Sequence, residues 1–209
     1  MRRSRRASGF TMIEMAVTMS IFAILVALGV PAMTTWIRNN KVRTVADSLQ
    51  TGLRLAQAES LRRSRQVVFA LTNSTAPDTI LPLPAVVNGT SWAIWTVPSM
   101  TNVADEQPTF IQSGVLSNAS SQVTITTNAP ISTVCFNSVG RLVTNTSANV
   151  TAITGGDTCT QPAAPPVLSF DINVLGADRP LRVNLGLGGQ VHMCVLGVAL
   201  DVDHPEGCP

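Results

Sequence analysis

Residues Phe10 to Met33 read FTMIEMAVTMSIFAILVALGVPAM, an apolar stretch with a single acid, Glu14, placed directly behind the polar leader MRRSRRASG. Met15 to Ile37 is 23 residues without a formal charge. As a helix rising 1.5 Å per residue, that run covers about 35 Å, enough to cross the ~30 Å hydrocarbon core of a bilayer. Arg2, Arg3, Arg5 and Arg6 form a cationic cluster ahead of it, and such clusters stay on the cytoplasmic side, which sends the rest of the chain outward. A cleaved secretory signal also starts with arginines, but its apolar core runs only about 7 to 15 residues and ends in small residues. Here Pro31, Met33 and Trp36 follow instead. A plain anchor accounts for the length and leaves Glu14 unexplained, because an ionisable group in a membrane segment is costly and usually has a partner.

The helical pattern continues past the uncharged run. Val42, Val45, Ala46, Leu49, Leu53 and Ala56 recur at spacings of three and four, which makes one apolar stripe. A helix is therefore predicted from Phe10 to about Arg65, roughly 84 Å long. Its first half (10–37) belongs in a membrane or a filament core, and its amphipathic second half (38–65) packs its stripe on a head. Gly29 and Pro31 interrupt the pattern; proline removes a backbone donor and crowds the preceding turn, so a kink or local melting is expected there.

From Gln66 onward the texture changes to short β-type runs: Gln66 to Leu71, Trp92 to Val97, Gln122 to Thr127, Val167 to Asn173, Leu181 to Leu185 and Val191 to Leu196. Ser74 to Gly89 and Asn145 to Pro166 are rich in Pro, Thr, Ala and Gly and read as long surface loops. LGLGGQ (Leu185 to Gln190) lacks the Lys and Ser/Thr of a phosphate loop and reads as a hairpin turn in which glycine supplies positive φ. Trp92 and Trp95, three apart, face opposite sides of a strand, one toward the core and the other toward an edge or interface. The fold class is α+β: a long N-terminal helix packed on an antiparallel β-sheet head (66–209). The scarcity of charge, 12% of residues, and the abundance of Thr, Ser, Asn and Val suit an exported β-rich domain better than a cytosolic enzyme. Cys135, Cys159, Cys194 and Cys208 all lie beyond the membrane segment, where an oxidising compartment would let them pair. Closeness in sequence suggests Cys135 with Cys159 and Cys194 with Cys208, though four cysteines allow three connectivities.

Gly9-Phe10-Thr11-Met12-Ile13-Glu14 resembles the G-F-T-L-I-E processing site of type IV prepilins and pseudopilins. The basic leader, the Gly before Phe, Glu14 five places past the scissile bond and Pro31 further on carry the resemblance together. It implies that residues 1–9 are a leader peptide, that a prepilin peptidase cuts after Gly9, and that the new amino terminus, Phe10, is N-methylated. It further implies that Glu14 pairs with a neighbouring subunit's amino terminus during assembly. Physics supports that role, since a carboxylate in apolar surroundings is expensive until a cation meets it. Within the class, LQTGLRLAQAESLRRSRQVVFAL (Leu49 to Leu71), CFNSVGRLV (Cys135 to Val143) and GGQVHMC (Gly188 to Cys194) resemble segments of the FimT, FimU and GspH group. The implied partners are other pilins through the N-terminal helix, the peptidase, an inner-membrane assembly platform, and membrane lipid before assembly. The implied location is the bacterial inner membrane with the head in the periplasm, then a pilus or pseudopilus at the cell surface.

Some members of that group bind DNA through arginines of a Gly-Arg-x-Arg segment, but the matching places here hold Gln190 and His192. DNA is gripped chiefly by fixed cations on its phosphates. The whole chain carries +2, yet loss of the four leader arginines leaves ten basic and twelve acidic residues. Residues 38–65 carry seven cations against Asp47 and Glu59, while residues 66–209 carry three against nine acids. The head should repel nucleic acid, and only Arg62, Arg63 and Arg65 at the helix end offer a basic patch. DNA contact through those arginines, Gln190 and His192 is accordingly disfavoured. His192 and Cys194 are too sparse to specify a metal site, and Asp201, Asp203 and His204 sit in a Pro- and Gly-bearing tail that reads as a solvated turn. No cofactor, metal or catalytic group is expected. The sequence points to a minor type IV pilin at the filament tip serving pilus assembly, motility or adhesion. A type II secretion pseudopilin and a DNA-binding pilin for transformation are the alternatives.

Overall fold

The computed structural model describes residues 10–100, 106–116, 122–163 and 166–209. The expected cleavage residue Gly9 and the leader arginines lie outside these. The chain is α+β: helix α1 (Met12–Arg63) precedes strands β1 (Val67–Thr72), β2 (Ser91–Thr96), β3 (Phe110–Val115), β4 (Val123–Thr127), β5 (Thr133–Phe136) and β6 (Leu142–Val143). Then come helix α2 (Ala148–Thr154) and strands β7 (Val167–Val174), β8 (Leu181–Gly186), β9 (Val191–Ala199) and β10 (Gly207–Cys208). Two compact units are present, residues up to 37 and Arg38–Pro209.

Helix α1 runs 52 residues, about 78 Å. It is unbroken at Gly29 and Pro31, so the expected melting does not occur. Proline removes one donor, and the flanking Ala27, Leu28 and Ala32 are strong helix formers that keep the remaining bonds. The helix ends two residues before Arg65 for a local reason. Ser64 takes φ 50, the Arg65 N–H bonds the Ser60 carbonyl and the Ser64 N–H bonds that of Leu61, both at 3.2 Å. This is the paired closure of a left-handed C-terminal cap.

The strands form two five-stranded sheets, ordered β3-β2-β1-β5-β6 and β10-β9-β8-β7-β4. Every named pair is antiparallel except β10 with β9, which run parallel, so the head is the antiparallel sheet structure expected, with a two-residue parallel addition at one edge. In the first sheet Phe69 lies opposite Ile94 and Leu71 opposite Trp92, while Val68 lies opposite Trp95. The first set faces the main core, with Val42, Val45, Ala46, Leu49, Leu53 and Ala56 of α1 and with Leu168, Phe170, Ile172, Val183 and Leu185 of the second sheet. The helical stripe is thus buried as its periodicity predicts, and fully buried Leu or Phe side chains each contribute about 1.5–3 kcal/mol.

The other face of the first sheet has its own core. Val68, Ala70, Ala93, Trp95 and Cys135 pack with Leu83, Val150, Ile153 and Cys159. Both tryptophans are therefore interior, Trp92 at 3% and Trp95 at 5% exposure, which corrects the placement of one at an edge. The cover comes from α2, inside the segment read as a surface loop, and from Leu83, whose N–H bonds the Ile153 carbonyl at 2.6 Å. Trp92 stacks on Phe69 with centroids 5.9 Å apart and donates from Nε1 to Ser48 Oγ at 3.2 Å. Glycine is required on either side of it: a Cβ at Gly52 or Gly114 would come within 2.8 or 2.5 Å of the indole.

Candidate assembly site

The first unit is a bare apolar helix with a polar entry. Thr11 Oγ1 accepts the Glu14 N–H at 3.3 Å, and the Thr11 carbonyl accepts the Met15 N–H at 3.2 Å. Thr-x-x-Glu is the capping-box spacing, and an acid in the first turn lies at the positive end of the helix dipole. Thr18 and Ser20 return their hydroxyls to the carbonyls of Met15 and Ala16 at 3.0 and 2.7 Å, so neither needs water. Every described side chain from Phe10 to Thr34 is exposed, including Phe22 at 64% and Leu28 at 73%. A helix apolar all round belongs in lipid or among other helices. It is long and apolar enough to span a membrane.

In the second unit, the three segments that carry the group resemblance converge on Gln57. Its Nε2 donates to the Gly140 carbonyl at 3.0 Å, and Arg54 donates to the Val191 carbonyl at 3.2 Å. The Leu142 N–H meets the Leu187 carbonyl at 3.0 Å, which links the two turns. Gly189, at φ 88, closes the β8–β9 hairpin as expected from LGLGGQ. A Cβ there would lie 2.2 Å from both Gln57 Nε2 and the Gly140 oxygen. Arg54 and Gln57 were not singled out from sequence; the two glycine turns were the signal that something packs against them.

The basic helix end is largely occupied. Arg62 grips Glu59 through Nε and Nη2 at 2.9 and 2.7 Å, and Arg63 Nε bonds the same carboxylate at 2.7 Å. Those two guanidinium groups hold the Glu59 carboxyl down at about 2, against an ordinary 4.5. Arg65 pairs with Glu106, whose carboxyl is also lowered, chiefly by the Ser99 and Met100 N–H groups. Gln190 and His192 line a groove of about 610 Å³ with Asn184, Met193, Leu200 and Pro205. None of the three arginines is part of that lining.

Disulfides join Cys135 to Cys159 and Cys194 to Cys208, with Cα separations of 5.6 and 5.1 Å. Cys194 is therefore not available as a ligand beside His192. Among the described residues no group of three or more His, Cys, Asp or Glu could hold a metal. Asp201 Oδ1 accepts the N–H groups of Asp203 and His204 at 3.0 and 2.6 Å, the geometry of an exposed turn.

Residues 45–189 match the family described as Type II transport protein GspH. The chain belongs to the GspH family. Residues 4–30 also match the prokaryotic N-terminal methylation motif. This GspH-family chain is thus a pilin-like subunit, a minor pilin or pseudopilin of a type IV pilus or type II secretion system, a class of structural components that assemble with other pilins. Among solved structures, the type IV minor pilin FimU of Pseudomonas aeruginosa is 15% identical, with a TM-score of 0.46 over 74% of this chain and 88% of that one. The minor pseudopilin EpsH of the Vibrio cholerae type 2 secretion system is 12% identical, TM-score 0.44, covering 75% and 98%. GspH of E. coli is 10% identical, TM-score 0.41, covering 75% and 89%. Likenesses at that level say nothing of what this chain binds. No curated protein matches the chain.

Proposed function

We propose that this GspH-family chain is a minor type IV pilin, cut after Gly9 by a prepilin peptidase, N-methylated at Phe10 and carried into the pilus, at its tip, by an inner-membrane assembly platform. Residues 1–9 are the leader, 10–37 the membrane and filament-core half of the helix, 38–65 its head-bearing half, and 66–209 the head. Glu14 meets the amine of a neighbouring subunit's first residue, which relieves a carboxylate otherwise stranded in apolar surroundings. The observation that supports this is the helix half of exposed apolar side chains with one acid in its first turn. The subunit works by contact and has no chemistry of its own, and DNA is disfavoured as its ligand: two of the three candidate arginines grip Glu59 and the third Glu106.

The test is Glu14→Ala in cells. The variant is expected to be cleaved, methylated and held in the inner membrane, yet missing from sheared fibres. Incorporation at the normal level overturns the proposal. A second reading, the type II secretion pseudopilin, is favoured by the description of the matched family. Deleting the gene separates the two: loss of surface fibres and twitching supports the pilus, whereas exoproteins retained in the periplasm support the pseudopilus.

A further inference from the structure

The turn between β7 and β8 has features that neither core nor hairpin geometry accounts for. Ala177 N–H closes it on the Val174 carbonyl at 2.9 Å, and Gly176 takes φ 79, the positive φ that a type II turn needs at its third residue. The second residue is Leu175, 84% exposed, a large apolar side chain in a place that usually takes proline or a polar residue. The turn is fixed to α1 at its two N–H groups and one carbonyl. Asn39 Oδ1 accepts the N–H of Asp178 and of Arg179 at 3.0 and 3.3 Å, and Arg38 donates to the Gly176 carbonyl at 3.5 Å. A Cβ on Gly176 would lie 2.2 Å from Arg38 Nη1, so only glycine lets the guanidinium lie across the turn.

Residues 38 and 39 directly follow the 23-residue uncharged run in sequence. A span needs about 20 residues, so a helix that crosses a bilayer with Met15–Ile37 delivers Arg38 and Asn39 at headgroup level. They bring the docked turn with them. Arg38, Lys41 and Arg179 are exposed there, against one exposed acid of the turn, Asp178; Arg43 is matched by Asp47 at 3.8 Å. A projecting Leu flanked by cations is the pattern of an interfacial anchor, with the apolar group in the acyl boundary and the cations on phosphate.

We infer that the Val174–Arg179 turn is a second membrane contact, in which Leu175 enters the bilayer interface and Arg38, Lys41 and Arg179 meet anionic phospholipid headgroups. The inference rests on the reading of residues 15–37 as the membrane span. Before assembly this contact seats the head on the membrane surface, and extraction of the subunit has to release it. Each cation at an anionic surface is worth roughly a fivefold change in binding, and the effect fades beyond about 8 Å at physiological salt.

The full chain, inserted in vesicles of phosphatidylethanolamine and phosphatidylglycerol, tests it with a photoreactive benzoylphenylalanine in place of Leu175, Leu25 or Val139. Lipid adducts are expected at positions 25 and 175 and not at 139, another exposed apolar site of the head. Arg38→Gln, Arg179→Gln, or omission of phosphatidylglycerol should each lower the adduct at 175 about fivefold and leave that at 25 unchanged. Arg179→Gln keeps the test valid if Arg38→Gln disturbs the turn. An adduct at 25 without one at 175, an adduct at 175 to protein only, or indifference to Arg179→Gln and to lipid charge overturns the contact. Failure at both positions removes the anchoring and the contact with it.

Discussion

The two halves of α1 dispose of their apolar side chains in opposite ways. Between Phe10 and Ile37 the large apolar residues point in every direction and are exposed, whereas in 38–63 they form a single stripe whose six principal members are 0–5% exposed. Composition separates the halves, with one charged residue, Glu14, in the first and eight in 38–63, and angular distribution separates them again. A stripe can be satisfied by one's own sheet, while an all-round surface has to be satisfied by something outside the chain. The first half therefore tells what the protein joins, and the second tells what the protein is.

The largest way to break that comparison is a matched pair of truncations. Leu53→Ala removes a fully buried side chain from the main core and should destabilise the Arg38–Pro209 unit by about 3–4 kcal/mol. Leu25→Ala, on an exposed position, should leave the unfolding midpoint of that unit unchanged within about 0.5 kcal/mol. Denaturant unfolding followed by near-ultraviolet circular dichroism, which sees Trp92 and Trp95, checks both. Equal losses would mean that the first half is also part of the folded head.

A second perturbation sharpens the contrast between self-contained and dependent regions. The Cys135–Cys159 bridge, 24 residues apart in sequence, ties β5 of the first sheet to the segment just after α2. Replacing both cysteines with Ala should cost the head about 3 kcal/mol. The helix over residues 12–37 should keep its helical signal in lipid through the same treatment. A head that unfolds no earlier without the bridge would show that α2 and Leu83 hold the outer core unaided.

That outer core is also where the sequence was hardest to read. The N-terminal motif was legible from its residue set, the six-residue stripe from its spacings of three and four, and six strands from runs of β-type residues. Helix α2 was not: it has seven residues, its apolar positions amount to Val150 and Ile153, and its helicity comes from packing on Val68, Ala70 and Trp95. A left-handed Gly155 at φ 74 closes it. Strands β5, β6 and β10 are two to four residues long, too short to show alternation, and β10 exists through pairing with β9 and its Cys194–Cys208 bridge. At the site the positions of Thr11 and Glu14 were legible from the motif. The hub at Gln57 was not, because a glutamine on a polar-looking helix face carries no period, and only the turns at Gly140 and Gly189 give it a function.

The smallest expected effect lies at the far end of the second half, where charge rather than burial closes the helix. Glu59 is held at about 2 by Arg62 and Arg63. A carboxyl lowered on folding stabilises the fold fully above its ordinary value near 4.5, and that stabilisation is lost as pH falls through 2. Both pairs are local and the arginines are partly solvated, so Glu59→Gln should cost only about 0.5–1 kcal/mol at pH 7. The gap between wild type and variant should close between pH 4.5 and 2, and high salt should narrow it at pH 7. A gap that persists at pH 2 would assign the loss to packing at Glu59, whose side chain is 13% exposed, and would make burial, not charge, the rule along the whole second half.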